Sequence, residues 1–440
     1  MYIVVVSHPH NNMDKIIHSD NNITVFGGLN FIYRALKDSK LDKYIESQLG
    51  RRGPNSGYSH SDIVLSLFGN CLVQGSHLSD LQIFKEKYSR QVFKKIPSAD
   101  TVEYVCRHLK TDTISRTTRK GITNDVNYSD KMNQALIGLA LKSGLLKKGD
   151  NNYVLDYDNV IIEHNKQDAR TTYKMTRGYQ PALAFIGRLP VHMENRNGNT
   201  SPRYEQKETL ERCFENFKMA GVHISSFRAD AASYQKEVVE LVCKHTDTFY
   251  IRFHDHLELR NQCGEAKKWK KVLINHIARE VASIEYQAFG GDVVYRGVII
   301  REEREDKQGD LFSADAYKYF GILTNDWNKD EKEVIEFYNQ RGDAENSNKY
   351  MLNDFNLHHL PFSDLSTNTV FMYLMAMCSI LFEWTKQVLV LNKVRAITMS
   401  MRVKAISFHY VTVASTFISH ARKRHIKIFA PTGTYQYLRT

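Results

Sequence analysis

Little punctuates this chain. It has eight prolines in 440 residues, seven of which (Pro54, Pro97, Pro181, Pro190, Pro202, Pro361 and Pro431) fall at plausible element borders, and it has no internal repeat or low-complexity tract. Its six cysteines, Cys71, Cys106, Cys213, Cys243, Cys263 and Cys378, are scattered without a C-x-x-C pair, which argues against a disulfide framework and for a reducing cytoplasm. Cys243, His245, His254, His256 and Cys263 match no common zinc spacing, and a strand and loop with scattered His and Cys is the better reading. No apolar run reaches the ~20 residues of a membrane span. The longest, Val370 to Phe382, reads as a buried helix. The opening "MYIVVVSHPH" is too short an apolar stretch for a secretory signal and lacks a basic leader. Neither a glycine-rich phosphate loop nor a nucleophile elbow is present, so an ATPase has no support.

What the chain does have is positive charge. Sixty Lys and Arg against 49 Asp and Glu give +11 and a pI near 9.1, which favours a polyanionic partner such as nucleic acid. Residues Gly27 to about Leu146 read as amphipathic helices, with Ser59 and Ser61 as candidate caps. Between two of them lies "GRRGPNSGY", whose Arg51 and Arg52 suit either a DNA-docking turn or a solvated loop. From Asn152 the period changes to strand, strand, strand, helix, strand, helix, strand, which predicts a mixed α/β sheet with an antiparallel meander followed by parallel pairing. Residues 255–316 interrupt it with a polar, β-rich segment that contains the basic "EAKKWKKVLINHIARE". Strand character returns at "YKYFGILTND", then a long helix runs through "DEKEVIEFYNQRGDAENSNKYMLNDF", capped by Asn325 or Asp326. A final helical region runs from Leu365 to about Arg424.

The chemistry gathers at carboxylates. In "YVLDYDNVIIEH" a strand places Asp156 and Asp158 on one face, and buried carboxylates are costly unless something positive meets them. "ISSFRAD" delivers Asp230 at a strand end, where it either caps the next helix or joins a site. On the long helix Tyr338, Arg341, Glu345, Lys349 and Leu352 share a face. Carboxylates from two strand ends and a helix suit Mg2+ or Mn2+, and such ions promote in-line phosphodiester displacement. Tyr338, Arg341 and Lys349 would hold neighbouring phosphates.

The order "LDYDN", "TYKMTRGYQPALAF", "ENRNGN", "FRADAASY" and "YNQRGDAEN" before "LNDF" resembles the insertion-sequence DDE transposases of the Tyr-Arg-Glu-Lys signature class. The resemblance implies an RNase H-like core with Asp158, Asp230 and Glu345 as a metal-binding triad using Mg2+ (Mn2+ as substitute), and Asp156 as a supporting, second-choice ligand. It implies a helical DNA-binding region over 1–146, a catalytic core over 147–254 and 317–364, a β-rich insertion over 255–316 and a helical basic C-terminal region over 365–440. Trp269, Lys270 and Lys271 of the insertion would contact DNA by stacking and phosphate pairing, or form a small β core with a solvated rim. The implied activity is cut-and-paste transposition, by nicking, hairpin formation and strand transfer. A homodimer would act on double-stranded element ends and target DNA, cytoplasmic and nucleoid-associated, with no membrane. Two positions depart from the pattern: Val160 stands where the family has Thr, and Leu352 where the signature has Lys. A DNA-binding protein that keeps the fold without strand transfer is the alternative.

Overall fold

The computed structural model describes residues 23–88, 93, 95–253, 266, 268–290, 292–303, 317–420 and 423–430. The opening segment, His254, His256 and Cys263 lie outside them. The strands are β1 (Ile23–Thr24), β2 (Ile114–Thr117), β3 (Thr123–Asn127), β4 (Tyr153–Asn159), β5 (Ile162–Glu163), β6 (Arg170–Thr171), β7 (Arg177–Tyr179), β8 (Ala182–Ile186), β9 (Leu189–Arg196), β10 (Ile224–Ala229), β11 (Thr248–Arg252), β12 (Lys270–Ile274), β13 (Ile277–Gln287), β14 (Val294–Glu303), β15 (Tyr317–Thr324), β16 (Ser415–His420) and β17 (Lys423–Ile428).

Eleven of them form one mixed sheet in the order β12-β13-β14-β15-β11-β10-β4-β8-β9-β3-β2. As the strand periodicity predicts, β4, β8 and β9 pair antiparallel through short turns. Helices Gln206–Ala220 and Lys236–His245 make the crossovers that let β4, β10 and β11 run parallel. Gly221 ends the first of these helices at φ +69°, where a side chain would be strained, and Val222 N–H bonds back to the Phe217 carbonyl. The insertion is not a separate sheet. Its strands β12 to β14 continue the central one through β14 on β15.

Four local features differ from the sequence reading. The region before residue 146 is helical over Leu29–Asp38, Leu41–Leu49, His60–Leu72, Asp80–Lys87, Ala99–Leu109 and Asp130–Lys142, with Ser59 and Asp62 forming a capping box, but it also holds the β2–β3 hairpin. Val126 and Asn127 of β3 pair with β9, a partner about 70 residues away that local periodicity cannot reveal. The long helix is two, Glu331–Asn339 and Gly342–Asp354. The break follows from competition for a carbonyl, because Arg228 Nη1 donates to Phe337 O at 2.7 Å and Arg341 N–H turns back to Tyr338 O. The first of these helices is capped by Asp330, boxed with Glu333, while Asp326 accepts from Tyr250 and Lys329 and Asn325 bonds Phe249. Finally, 415–428 is an antiparallel ribbon and not helix, since β16 finds the N-terminal β1 as its partner.

Helix Leu365–Leu391 is the central post of the molecule. By length and composition it could cross a membrane, yet 94% of its apolar stretch is buried inside the protein. It packs on His60–Leu72, Asp130–Lys142 and β9. Its buried Lys386 is met by Glu383 at 2.8 Å and the Met399 carbonyl at 2.9 Å. The five described cysteines are free.

Candidate catalytic centre

The parallel register of β4 and β10 aligns Asp156 with Arg228 and Tyr157 with Ala229, so Asp158 and Asp230 emerge beside each other just past the last paired residues. Strands lie about 4.8 Å apart, which sets the scale of that separation. Asp158 is mostly buried. Its Oδ1 accepts from the Asn159 amide at 3.0 Å, its Oδ2 accepts from Asn348 Nδ2 at 2.9 Å, and Arg341 Nη1 stands 3.9 Å from the same oxygen. Burial pushes the Asp158 carboxyl up to about 6; Arg341 opposes the rise, and Asp230 and Glu345 add to it. Three carboxylates therefore share one field.

Asp230 begins the turn that follows β10. Its Oδ1 caps the short 3-10 turn Ala231–Ser233 by accepting from Ala232 N–H at 2.9 Å, and a carboxylate has further lone pairs to offer. Arg341 is the hub. Burial alone would lower its pKa, but Tyr338, Asp158 and Asp230 together raise it, and its Nη2 donates to Glu345 Oε1 at 3.0 Å. Its Nη1 is buried without a hydrogen-bond acceptor. Tyr338 lies beneath it, with the guanidinium 5.9 Å from the ring and the hydroxyl reaching Ala229 O at 3.4 Å.

The remaining predicted residues fall in varied places. Glu345 is 55% exposed and is held by Arg341, and among the described residues no three His, Cys, Asp or Glu gather closely enough to hold a metal. Lys349 is exposed one turn further on, and Leu352 packs against the core. Asp156 has both oxygens engaged by Arg228, at 2.7 Å each, so its charge is matched by the strand next door. Arg51 is exposed, whereas Arg52 donates to Tyr58 O and lies over Tyr104. Trp269 is covered by Arg301 at 4.1 Å, Lys270 is paired with Glu331 at 2.9 Å, and Lys271 is exposed.

Two features of this neighbourhood escaped the sequence reading. Asn348, one helical turn beyond Glu345, is the residue of its helix that touches Asp158, and its own Oδ1 is buried without a donor. The second is the role of "ENRNGN". Buried Glu194 accepts from Arg212 at 2.8 Å and Thr209 at 2.7 Å, with Arg196 3.6 Å away. Burial alone would raise its pKa, but hydrogen bonds from His192 and Arg212 hold it well below the usual range. Asn197 ties Arg170 and Asp168 to the end of β9. This stretch is scaffold for the sheet end.

Among curated proteins none matches the chain. Of solved structures it is similar to a piggyBac transposase in a cryo-EM synaptic complex with hairpin DNA, at 12% identity over 89% of this chain and 80% of that one, TM-score 0.43, a likeness too distant to carry an argument. The family described as transposase DDE domain group 1 matches residues 71–439, most of the chain, so the chain belongs to that family: it is a DNA transposase, an enzyme that cuts DNA and transfers strands.

Proposed function

We propose that Asp158, Asp230 and Glu345 are the catalytic carboxylates of an RNase H-like core of the Tyr-Arg-Glu-Lys class, acting with Mg2+ or, as a substitute, Mn2+ in cut-and-paste transposition of an insertion sequence. The observation that carries this reading is the side-by-side placement of Asp158 and Asp230 on parallel strands, beside the one arginine that also holds Glu345. DDE transposases generally use divalent metal ions, and hard cations take oxygen donors such as these. When bound, such ions activate a water or 3′-hydroxyl and stabilise the leaving oxygen.

The chain's own residues do the positioning. Asp158 serves as its carboxylate, so its burial-raised proton has to leave before the site works. A DNA phosphate that takes Glu345's place on Arg341 frees the glutamate to turn toward the two aspartates, and the break at Gln340–Arg341 beside Gly342 supplies the hinge. Tyr338 supports Arg341 from below, and exposed Lys349 meets a neighbouring phosphate in place of the lysine absent at Leu352. Asp156 positions Arg228 and is assigned no metal.

The reaction in this reading is nicking at the element ends, attack of the freed 3′-hydroxyl on the opposite strand to give a hairpin, hairpin opening and strand transfer by a homodimer. Region 1–146, through Arg51 and Arg52, and insertion 255–316, through Trp269, Lys270 and Lys271, contact double-stranded DNA around the core at 147–254 and 317–364. Such a protein is cytoplasmic and nucleoid-associated. Incubating labelled element-end DNA with the protein and Mg2+ tests the assignment: nicking is expected, and it is lost in Asp158→Asn and in Asp230→Ala. Specific binding without cleavage in either Mg2+ or Mn2+ would return the alternative of a fold that has lost strand transfer.

A further inference from the structure

The charge of this chain is unevenly placed. Residues 384–440 hold ten Lys and Arg and no Asp or Glu, residues 1–146 hold 19 against 13, and residues 147–383 hold 31 against 36. The stretch that carries the candidate carboxylates is thus net acidic, and alone it would repel a phosphate backbone. Long-range attraction has to come from the two ends of the chain, and most of it from the last 57 residues.

We infer that the C-terminal segment around β16 and β17 is a docking surface for the phosphate backbone of duplex DNA, separate from the catalytic centre. Not all of its charge is available. Lys386 is buried against Glu383, and Arg402 is held by Asp354 at 2.8 Å. Lys393, Arg395, Lys404 and Lys427 are exposed and have no ion pair among the described residues. The ribbon pairs with β1 on its β16 side, while β17 has no further neighbour among the described residues. His425 and Lys427, two apart on β17, are both exposed, and Ile418 lies directly across from His425. Lys427 Nζ sits 5.3 Å from the ring of the half-exposed Phe429. A two-stranded ribbon fits the width of the major groove, and cations along it displace counterions from the flanking phosphates.

Lysines on an edge strand also protect it from pairing with other chains. That role accounts for Lys427, but not for Lys393, Arg395 and Lys404, which lie outside the sheet, nor for the complete absence of acids. The surface belongs to a DNA transposase, which makes duplex DNA the polyanion at hand.

The inference goes beyond the catalytic assignment, and its test reads binding alone, so it stands or falls separately from cleavage. A full-length variant carrying Lys393→Gln, Arg395→Gln, Lys404→Gln and Lys427→Gln is compared with one carrying Lys147→Gln, Lys148→Gln, Lys218→Gln and Lys244→Gln, which loses the same charge elsewhere. Binding to a random-sequence DNA duplex is titrated across salt. The first variant is expected to lose about tenfold or more in affinity near physiological salt, with a salt slope shallower by about 0.9 per contact removed. The second should stay near wild type. Equal losses in the two variants, or no loss in the first, overturn the inference, as does a loss for duplex RNA with DNA binding intact. Should the first variant fold poorly, lysine acetylation of the wild-type protein decides the matter: duplex DNA is expected to protect Lys393, Lys404 and Lys427, and unchanged labelling of all three overturns the inference.

Discussion

Asp158 carries a cost that its neighbours only partly offset. Its carboxyl, pushed up to about 6 by burial, titrates above the ordinary Asp value of about 3.9, so the folded chain keeps a proton that the unfolded chain has lost. The group's effect on stability is therefore most favourable below about pH 4 and worsens as pH rises to about 6, by about 2–3 kcal/mol in all. Asp158→Asn is expected to raise the Tm of the metal-free protein at neutral pH while abolishing cleavage; an unchanged or lower Tm would refute that account of its burial. With Asp158 in the catalytic role proposed for it, cleavage by the wild type should fall off below about pH 6 as its carboxylate protonates, which a pH-rate profile of nicking would show. Asn348→Ala removes the amide that holds Oδ2, and the Mg2+ concentration needed for half-maximal cleavage is expected to rise tenfold or more, in the range of about 10–100-fold seen for such supporting groups. Asp158, Asp230, Tyr338 and Arg341, the residues proposed for this site, were singled out by residue type, spacing and the family resemblance, and the structure brings them together. Asn348 was not singled out, because an asparagine on a helix carries no pattern until its partner is in place.

At the scale of elements, the strut Asp156–Arg228–Phe337 O decides where Glu331–Asn339 and Gly342–Asp354 sit. Arg228 joins β4 to β10 through Asp156 and holds the end of Glu331–Asn339 by a carbonyl, with its guanidinium 5.0 Å from the Phe337 ring. Arg228→Met leaves Asp156 buried without its main cation and is expected to cost about 3–5 kcal/mol in denaturant unfolding. Asp156→Leu with Arg228→Met should recover much of that stability, since a buried pair replaced as a unit is often neutral. Cleavage should stay impaired in the double variant, because Phe337 O still lacks its donor; full recovery of both would rule out a positioning role. The sequence pattern showed strands and helices here correctly in kind. It joined Glu331–Asn339 and Gly342–Asp354 into one helix because the cause of the break, a guanidinium from a strand more than a hundred positions earlier, leaves no local mark.

For the whole molecule, the region before residue 146 is not an appendage. His60–Leu72 and Asp130–Lys142 pack on Leu365–Leu391, β3 extends the central sheet beside β9, and β1 pairs with β16. One continuous core runs from Leu29 to Val411. A fragment of residues 1–146 made alone is therefore expected to lack a cooperative thermal transition, because its apolar faces lose the helix that covers them. A sharp two-state melt of that fragment would show instead that it is a self-sufficient domain.

Local chemistry determined much of this protein. Alternating β-branched residues made the strands, Ser59 and Asp330 began helices, and aspartates were set at strand ends, all of them effects that reach only a few residues along the chain. Tertiary structure alone decided what meets each carboxylate. Asp156 and Asp158 sit two residues apart on one strand, yet one meets Arg228 and the other faces Asn348, Arg341 and open chemistry, because the charge a buried group feels is set by what folds against it and not by its neighbours in sequence.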